Sequence, residues 1–402
     1  MPPSALQSVN AATRLDEREI ETRLAQLVEA LAATAAERDR AGGHAAQERE
    51  RIRASGLLRL SVPRRYGGEE LEWPRLYGIV RRVAAVDASL AHLYAFHHLQ
   101  VATVLLYGDA AQHERYLVPT IRENWFWGNA LNPLDPRLVA TPVEDGYRLD
   151  GEKGFCSGAR GSDRLIVSAR LRDSDALIVA VLPTRAAGVT VLDDWDAFGQ
   201  RQTDSGTVRF ENVRVPHEAV LRDPGPNGSV RASLRTCLAQ LVLTNLYVGI
   251  AQGALAEARR YVLTRTRPWP TSSAASAAED PYVLHRFGEL QIQLSAAVAL
   301  ADDAAERLQA AWALGEGIDA QTRGQTALAI AQAKVFAARA GLDLCSRVFD
   351  LMGASSVAGR LALDRYWRNL RTHSLHDPLD YKTCEVGEWV LHGRVPTPSS
   401  YS

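Results

Sequence analysis

Several absences narrow this sequence before anything in it is named. Its four cysteines, Cys156, Cys237, Cys345 and Cys384, are widely scattered and form neither a metal-ligand spacing nor a disulfide framework, which fits a reducing compartment. Charge of neither sign dominates. A formal net charge of −1 argues against a nucleic-acid surface or an anionic-membrane surface. No uninterrupted run of eighteen apolar residues is present, so no membrane-spanning helix is expected. The opening Met1-Pro2-Pro3-Ser4-Ala5-Leu6 lacks the charged start and apolar core of a secretory leader, and a cytoplasmic location is expected. There is no Gly-x-Gly-x-x-Gly nucleotide loop, no Walker motif and no repeat of fixed period.

The 402 residues, 46% of them hydrophobic, suffice for two or three domains around a sizeable core. Three zones differ in period. Residues 1–122 read as a helical domain. Glu19 to Arg40 is rich in Ala, Leu, Glu and Arg at three- and four-residue spacing, and Trp73-Pro74 opens a second helical stretch toward Leu106. Residues 123–225 switch to short β-type runs, among them Arg164 to Ala169, Ala176 to Leu182 and Thr207 to Pro216. Strands so close together, without long helices between them, predict a small antiparallel barrel or sandwich. Residues 226–402 are helical again. Ser233 to Thr266, Tyr282 to Leu314 and Thr322 to Met352 are each long enough for a bundle helix. The expected class is α+β: a helical domain, an antiparallel β-barrel domain and a four-helix bundle.

The densest chemistry lies near the end, in Arg368-Asn369-Leu370-Arg371-Thr372-His373-Ser374-Leu375-His376-Asp377-Pro378. His373 and His376 are three apart, so on a helical turn they share a face. Pro378 disfavours helix at Asp377, which places the triplet where a helix gives way to a loop. Neither histidine has the cysteines or carboxylates a metal site would need.

Four stretches in order make the chain resemble the acyl-CoA dehydrogenase superfamily over essentially its whole length. They are Val62-Pro63-Arg64-Arg65-Tyr66-Gly67-Gly68, Leu149 to Ala159, Arg201 to Pro216, and Tyr366-Trp367-Arg368-Asn369. Many family dehydrogenases carry a glutamate base on a Tyr-Glu-Gly-Thr turn. This chain has Leu375-His376-Asp377-Pro378 there. An aspartate is shorter by one methylene, roughly 1.5 Å of reach, and a general base must reach its proton. The His-Ser-Leu-His-Asp turn instead resembles the flavin-dependent monooxygenase branch, which includes dibenzothiophene monooxygenase, sulfur-acquisition enzymes and indole or amine hydroxylases.

That resemblance implies a two-component monooxygenase that takes reduced flavin and O2 through a C4a-hydroperoxyflavin. Its oxygen would go to a small aromatic, sulfur- or nitrogen-containing substrate. The alternative reading is a dehydrogenase or oxidase of the acyl-CoA dehydrogenase type. The implied catalytic residues are His92, Ser157, His373, His376 and Asp377, with Ser157 beside flavin N5. Residues implied to bind the cofactor are Phe96, Asn129, Phe155, Ser157, Ser205, Arg265 and Arg368. Among His92, His97 and His98, His92 is favoured for the pocket because it lies four residues before Phe96 on one helical face. Cys156 reads as a small buried filler. The usual Arg-x-x-Phe-Gly adenosine contact is altered to Arg265-Thr266-Arg267-Pro268-Trp269, which favours FMN over FAD. A separate NAD(P)H-dependent reductase and a homotetramer built on the C-terminal helices are also implied. The residues do not say whether S, N or C is oxygenated.

Overall fold

The computed structural model describes residues 14–174, 176–226 and 228–402. The six residues read above for a leader lie outside this range. Among the described residues six α-helices come first: α1 (Glu17–Ala32), α2 (Ala35–Ala41), α3 (Ala46–Ala54), α4 (Trp73–Ala84), α5 (Ala88–Tyr107) and α6 (Ala110–Arg122). Aspartates set where they start. Asp16 and Asp109 each close a capping box, with Glu19 and Gln112 respectively, and Asp87 caps α5 through the Leu90 N–H. Each such cap is worth about 1 kcal/mol. The helix expected over 19–40 and the helical stretch expected from Trp73 toward Leu106 are both divided. Thr34 begins a new helix in the first, and the turn ending at Asp87 interrupts the second.

Among the described residues the middle region holds seven strands: β1 (Trp127–Ala130), β2 (Val139–Val143), β3 (Gly146–Lys153), β4 (Arg164–Leu171), β5 (Leu177–Pro183), β6 (Val189–Val191) and β7 (Val208–Pro216). The expected antiparallel barrel is not what forms. β1 and β2 lie in succession along one edge of β4, both parallel to it, with Trp127 opposite Arg164 and Val139 opposite Arg170. β5 takes the other edge of β4 and runs antiparallel. From β2 the sheet continues through β3, β7 and β6, all antiparallel. The path ends at β6, so this is an open mixed sheet and not a closed barrel. The physical reason is the short β1 and β2, four and five residues long. Neither carries enough alternation to be read as a strand, yet both pair parallel to β4 and make the sheet mixed, while β5 and β6 at its ends do not pair with each other among the described residues.

The C-terminal region comprises α7 (Leu234–Arg265), α8 (Pro281–Ala313), α9 (Ala320–Met352), α10 (Arg365–Ser374) and α11 (Leu379–His392). α7, α8 and α9 pack on one another, α11 lies along α9, and α10 contacts both α7 and α9. α7 is long and apolar enough to cross a membrane, but 89% of its most apolar window is buried, which makes it a core helix. At Gly253 a Cβ would lie 2.0 Å from the Ala85 carbonyl, so only glycine lets the α4–α5 turn seat against α7. One apolar cluster runs from Ile20 through α4, α5 and α7 to Leu370, and a second fills the sheet around Leu165, Val208 and Phe210. The two outer helical regions therefore share one core, and the sheet has its own.

Candidate functional site

Helix α5 carries His92, Phe96 and Gln100 at four-residue spacing, one row on one face. The His92 ring stacks on Phe96 at 4.0 Å between centroids. Gln100 donates from Nε2 to Oδ1 of Asn129 on β1 at 2.8 Å, and the Asn129 N–H donates to the Ser157 carbonyl at 3.0 Å. The row thus reaches from the start of α5 to the turn after β3. His97 and His98 face elsewhere. His97 is held between the Leu58 carbonyl and the Trp127 N–H, and His98 pairs with the Ser61 hydroxyl.

Beyond β3 the chain turns sharply. Phe155 sits at a φ of 57°, a left-handed conformation, and its ring is 67% exposed with its edge toward Trp195. Cys156 is sealed inside, where burial pushes its thiol up to about 12, a packing residue as read from the sequence. The Ser157 hydroxyl bonds that of Ser205 at 2.7 Å, and Ser205 bonds that of Thr203 at 2.7 Å. Lys153 anchors the turn by donating to the Asn132 carbonyl at 2.7 Å and to that of Asp135.

The third component is the connection from α10 to α11. His373 lies in the last turn of α10, where its carbonyl accepts from the Tyr247 hydroxyl at 3.0 Å. Its ring is 4.8 Å from that of His92. Both rings are buried, and Nδ1 and Nε2 of His92 and Nδ1 of His373 have no hydrogen-bond partner among the described residues. Burial first, and the neighbouring His376 second, lower His92 to about 3. Burial likewise holds His373 well below the usual range. His376 is half-exposed. Its Nδ1 lies 3.0 Å from Oδ1 of Asp377, and its ring meets the edge of Tyr401 at 5.6 Å. Asp377 is buried and paired with Lys334 of α9, which also donates to Gln240 of α7. Burial works to raise the Asp377 carboxyl, but His376 and Lys334 outweigh it and hold it down to about 2. Lys334 is drawn down to about 8 because desolvation exceeds the attraction of its partner.

Two implied arginines stand apart. The Arg368 guanidinium is committed to Asp39, to Asp364 at 2.7 Å and to the Phe198 carbonyl at 2.7 Å. It ties α10 to the loop 198–205, and Gly199 permits that contact, since a Cβ there would lie 2.1 Å from the Arg368 carbonyl. Arg265 is exposed at the end of α7, over the Tyr261 ring.

The acyl-CoA dehydrogenase N-terminal domain family matches residues 15–124, the middle domain family 131–213 and the C-terminal domain family 241–381. The chain belongs to the acyl-CoA dehydrogenase family. Among its relatives, a probable FMNH2-dependent monooxygenase, SfnC, of Pseudomonas putida is 48% identical over 94% of this chain and 96% of its own length. The solved structure of methanesulfinate monooxygenase MsuC from Pseudomonas fluorescens has a TM-score of 0.94 at 47% identity, covering 96% of this chain and 100% of that one. FMN-bound TdsC from Paenibacillus sp. A11-2, a dibenzothiophene monooxygenase, has a TM-score of 0.91 at 41% identity with the same coverage.

The residues present suit the flavin this family implies. An outward-turned Phe155 ring, the hydroxyls of Ser157 and Ser205, and imidazole nitrogens buried without partners form a donor and acceptor set for a flat polar heterocycle. Sequence reasoning missed Gln100, Thr203, Lys334, Gln240 and Tyr401. Gln100 could have been found by extending the His92–Phe96 spacing one step. Lys334, set amid Ala331, Ala333, Val335 and Phe336, is a cation in an apolar helix face. Nothing local marks Gln240, Thr203 or Tyr401, which matter only through residues distant in sequence.

Proposed function

We propose that this protein is a flavin-dependent monooxygenase that places one atom of O2 on a small organosulfur compound and releases the other as water. The observation that carries this reading is the engagement of Asp377. A family dehydrogenase needs a free carboxylate base at that turn. Here the carboxylate is bound by Lys334 and His376 and held down to about 2, which makes it a poor proton acceptor. Bound reduced FMN would supply the electrons that activate O2.

The chain's own residues divide the remaining work. Phe155, Asn129, Ser157 and Ser205 hold the flavin ring, and Arg265 reaches a phosphate from a neighbouring subunit. His376, its Nδ1 engaged by Asp377, exchanges a proton at Nε2 with oxygen. His92 and His373, kept neutral by burial, hydrogen-bond to oxygen or substrate without adding charge. Phe96 and Tyr401 exclude water. Arg368 serves the site by fixing α10 against the loop 198–205. The names of SfnC, MsuC and TdsC support the cofactor and the sulfur-containing substrate. A separate reductase delivers the reduced flavin.

The test supplies reduced FMN and 18O2 with methanesulfinate or dibenzothiophene. Label in the sulfur product is expected, with no turnover on NADH and oxidised FMN alone. Reduction of bound oxidised flavin by an acyl-CoA, without label transfer, would overturn the reading.

A further inference from the structure

The chain contains only three lysines, Lys153, Lys334 and Lys382, and nearly all its other cations are arginines. All three are buried. Lysine offers a compact ammonium with three donors, which suits an interior site where a guanidinium fork would not fit. Lys153 spends its donors on carbonyls and Lys382 pairs with Glu385 on its own helix at 3.0 Å. Of the three, Lys334 alone bonds to the α10–α11 connection.

Its ammonium is fully enclosed, reaching Gln240 on α7 and Oδ1 of Asp377 in the α10–α11 connection. The same carboxylate oxygen faces Nδ1 of His376. An ionised carboxylate can only accept, so Nδ1 must carry the proton in that contact. A buried carboxylate without a cation is costly and neutralises itself by taking a proton or by charging a neighbour.

We infer that Lys334 is a positioning residue for His376: it keeps Asp377 ionised and fixed, and Asp377 in turn holds the imidazole in the Nδ1–H tautomer with Nε2 left for the ligand. The inference rests on the role proposed for His376, but its first test does not require turnover. Other groups face this relay. His373, His92 on α5 and Tyr401 of the C-terminal tail lie around His376, and Tyr247 on α7 and the Lys382–Glu385 pair on α11 lie around Lys334 and Asp377. None of them supplies a cation to Asp377 at hydrogen-bonding distance, so its charge balance depends on Lys334.

Removing that charge changes His376 in a defined direction. If Asp377 stays ionised, His376 takes a second proton to balance it. If Asp377 becomes protonated, it donates to Nδ1 and the ring proton moves to Nε2. In both cases Nε2 gains a proton. The variants Lys334→Gln, which keeps a donor to Asp377, and Lys334→Met, close in volume, are compared with the native chain by 15N NMR of labelled histidine slightly above neutral pH. The His376 signal is assigned by its loss in His376→Gln. We expect Nε2 to move from the unprotonated to the protonated nitrogen range in whichever variant folds, and no further change when Lys334→Gln is added to Asp377→Asn. An unprotonated Nε2 in folded Lys334→Gln, or a lysine effect that persists in the Asp377→Asn background, would overturn the relay. Product formed per FMN oxidised should fall several-fold in Lys334→Gln with FMN affinity unchanged. A protonated Nε2 with undiminished product yield would support the relay and count instead against the role proposed for His376.

Discussion

The imidazoles of His92 and His373, carried by α5 and α10, lie 4.8 Å apart between centroids with their planes 34° from parallel. Among the described residues neither has a carboxylate partner, and each is buried. Two like groups so close cannot both charge without repulsion added to desolvation, so the pair is kept neutral.

Acid sensitivity follows from this pair. The proton affinity of His92 is depressed in the folded chain, from 6.5 to about 3, and that of His373 is depressed in the same direction. Below pH 6.5 the unfolded chain therefore binds protons that the folded chain refuses. Stability is complete above that pH and falls as pH drops toward about 3. Each histidine contributes a slope on the order of 1 kcal/mol per pH unit in that window. His97, lowered by burial to about 4, adds to it. His92→Phe should melt with a visibly shallower dependence on pH between 6 and 4. A slope identical to that of the native chain would show that His92 is not held neutral.

His376→Ala and Ser157→Ala are expected to preserve the fold and to divert O2 to hydrogen peroxide in place of product. Neither side chain belongs to an apolar packing row. His376 is half-exposed, and Ser157 ends a chain of hydroxyls with Ser205 and Thr203. Losing one preorganised hydrogen-bonding group costs roughly 3–4 kcal/mol of transition-state stabilisation, a 10²–10³-fold effect. Product per flavin oxidised, recorded beside the melting temperature, distinguishes this from a structural defect. If His376→Ala keeps native coupling, the role proposed for this turn is wrong.

How legible these features are in the sequence depends on how local their causes are. The long helices announce themselves because each apolar face repeats within one segment, and Asp87 and Asp109 mark starts by their own side chains. His92 and Phe96 could be paired from a four-residue interval alone. The sheet is not legible in this way because the pairing of Trp127 with Arg164 and of Val139 with Arg170 depends on residues far apart, with no periodic signature in the short strands. Arg368 looked like a cofactor ligand in its motif, yet Asp39, Asp364 and the Phe198 carbonyl take up its guanidinium. The Lys334–Asp377 pair joins two segments that only the packing of α9 against the α10–α11 connection brings together.

The outer face of α8, α9 and α11 holds a groove of about 570 Å³ lined by Leu300, Val335, Phe336, Ala340 and Val386, with Ile292 exposed on α8 and Tyr381 and Val390 on α11. Exposed apolar surface of this kind marks an interaction face. We propose that further copies of the chain cover it in a homotetramer. Phe336→Glu should place a charge in the groove and reduce the assembly to dimers or monomers in light scattering, with the helical circular dichroism intact. A tetramer that survives this change would move the interface elsewhere.

Gln100 offers a way to separate support of the fold from support of the cofactor. Its amide is buried and donates to Oδ1 of Asn129, which also accepts from the Leu131 N–H at a longer 3.3 Å. Gln100→Leu strips Asn129 of its shorter bond and leaves a buried carbonyl poorly satisfied, at a cost of about 1–3 kcal/mol. Replacing both partners by apolar groups of similar shape is far less costly than orphaning one. Gln100→Leu alone should therefore lower the melting temperature and weaken FMN binding together. Adding Asn129→Leu should recover much of the stability and none of the binding, because the side chain proposed to face the flavin is then gone. Fluorescence titration with FMN beside thermal melts reads both quantities. If FMN affinity returns along with stability in the double variant, Asn129 is a packing residue of β1 and has no part in holding the flavin.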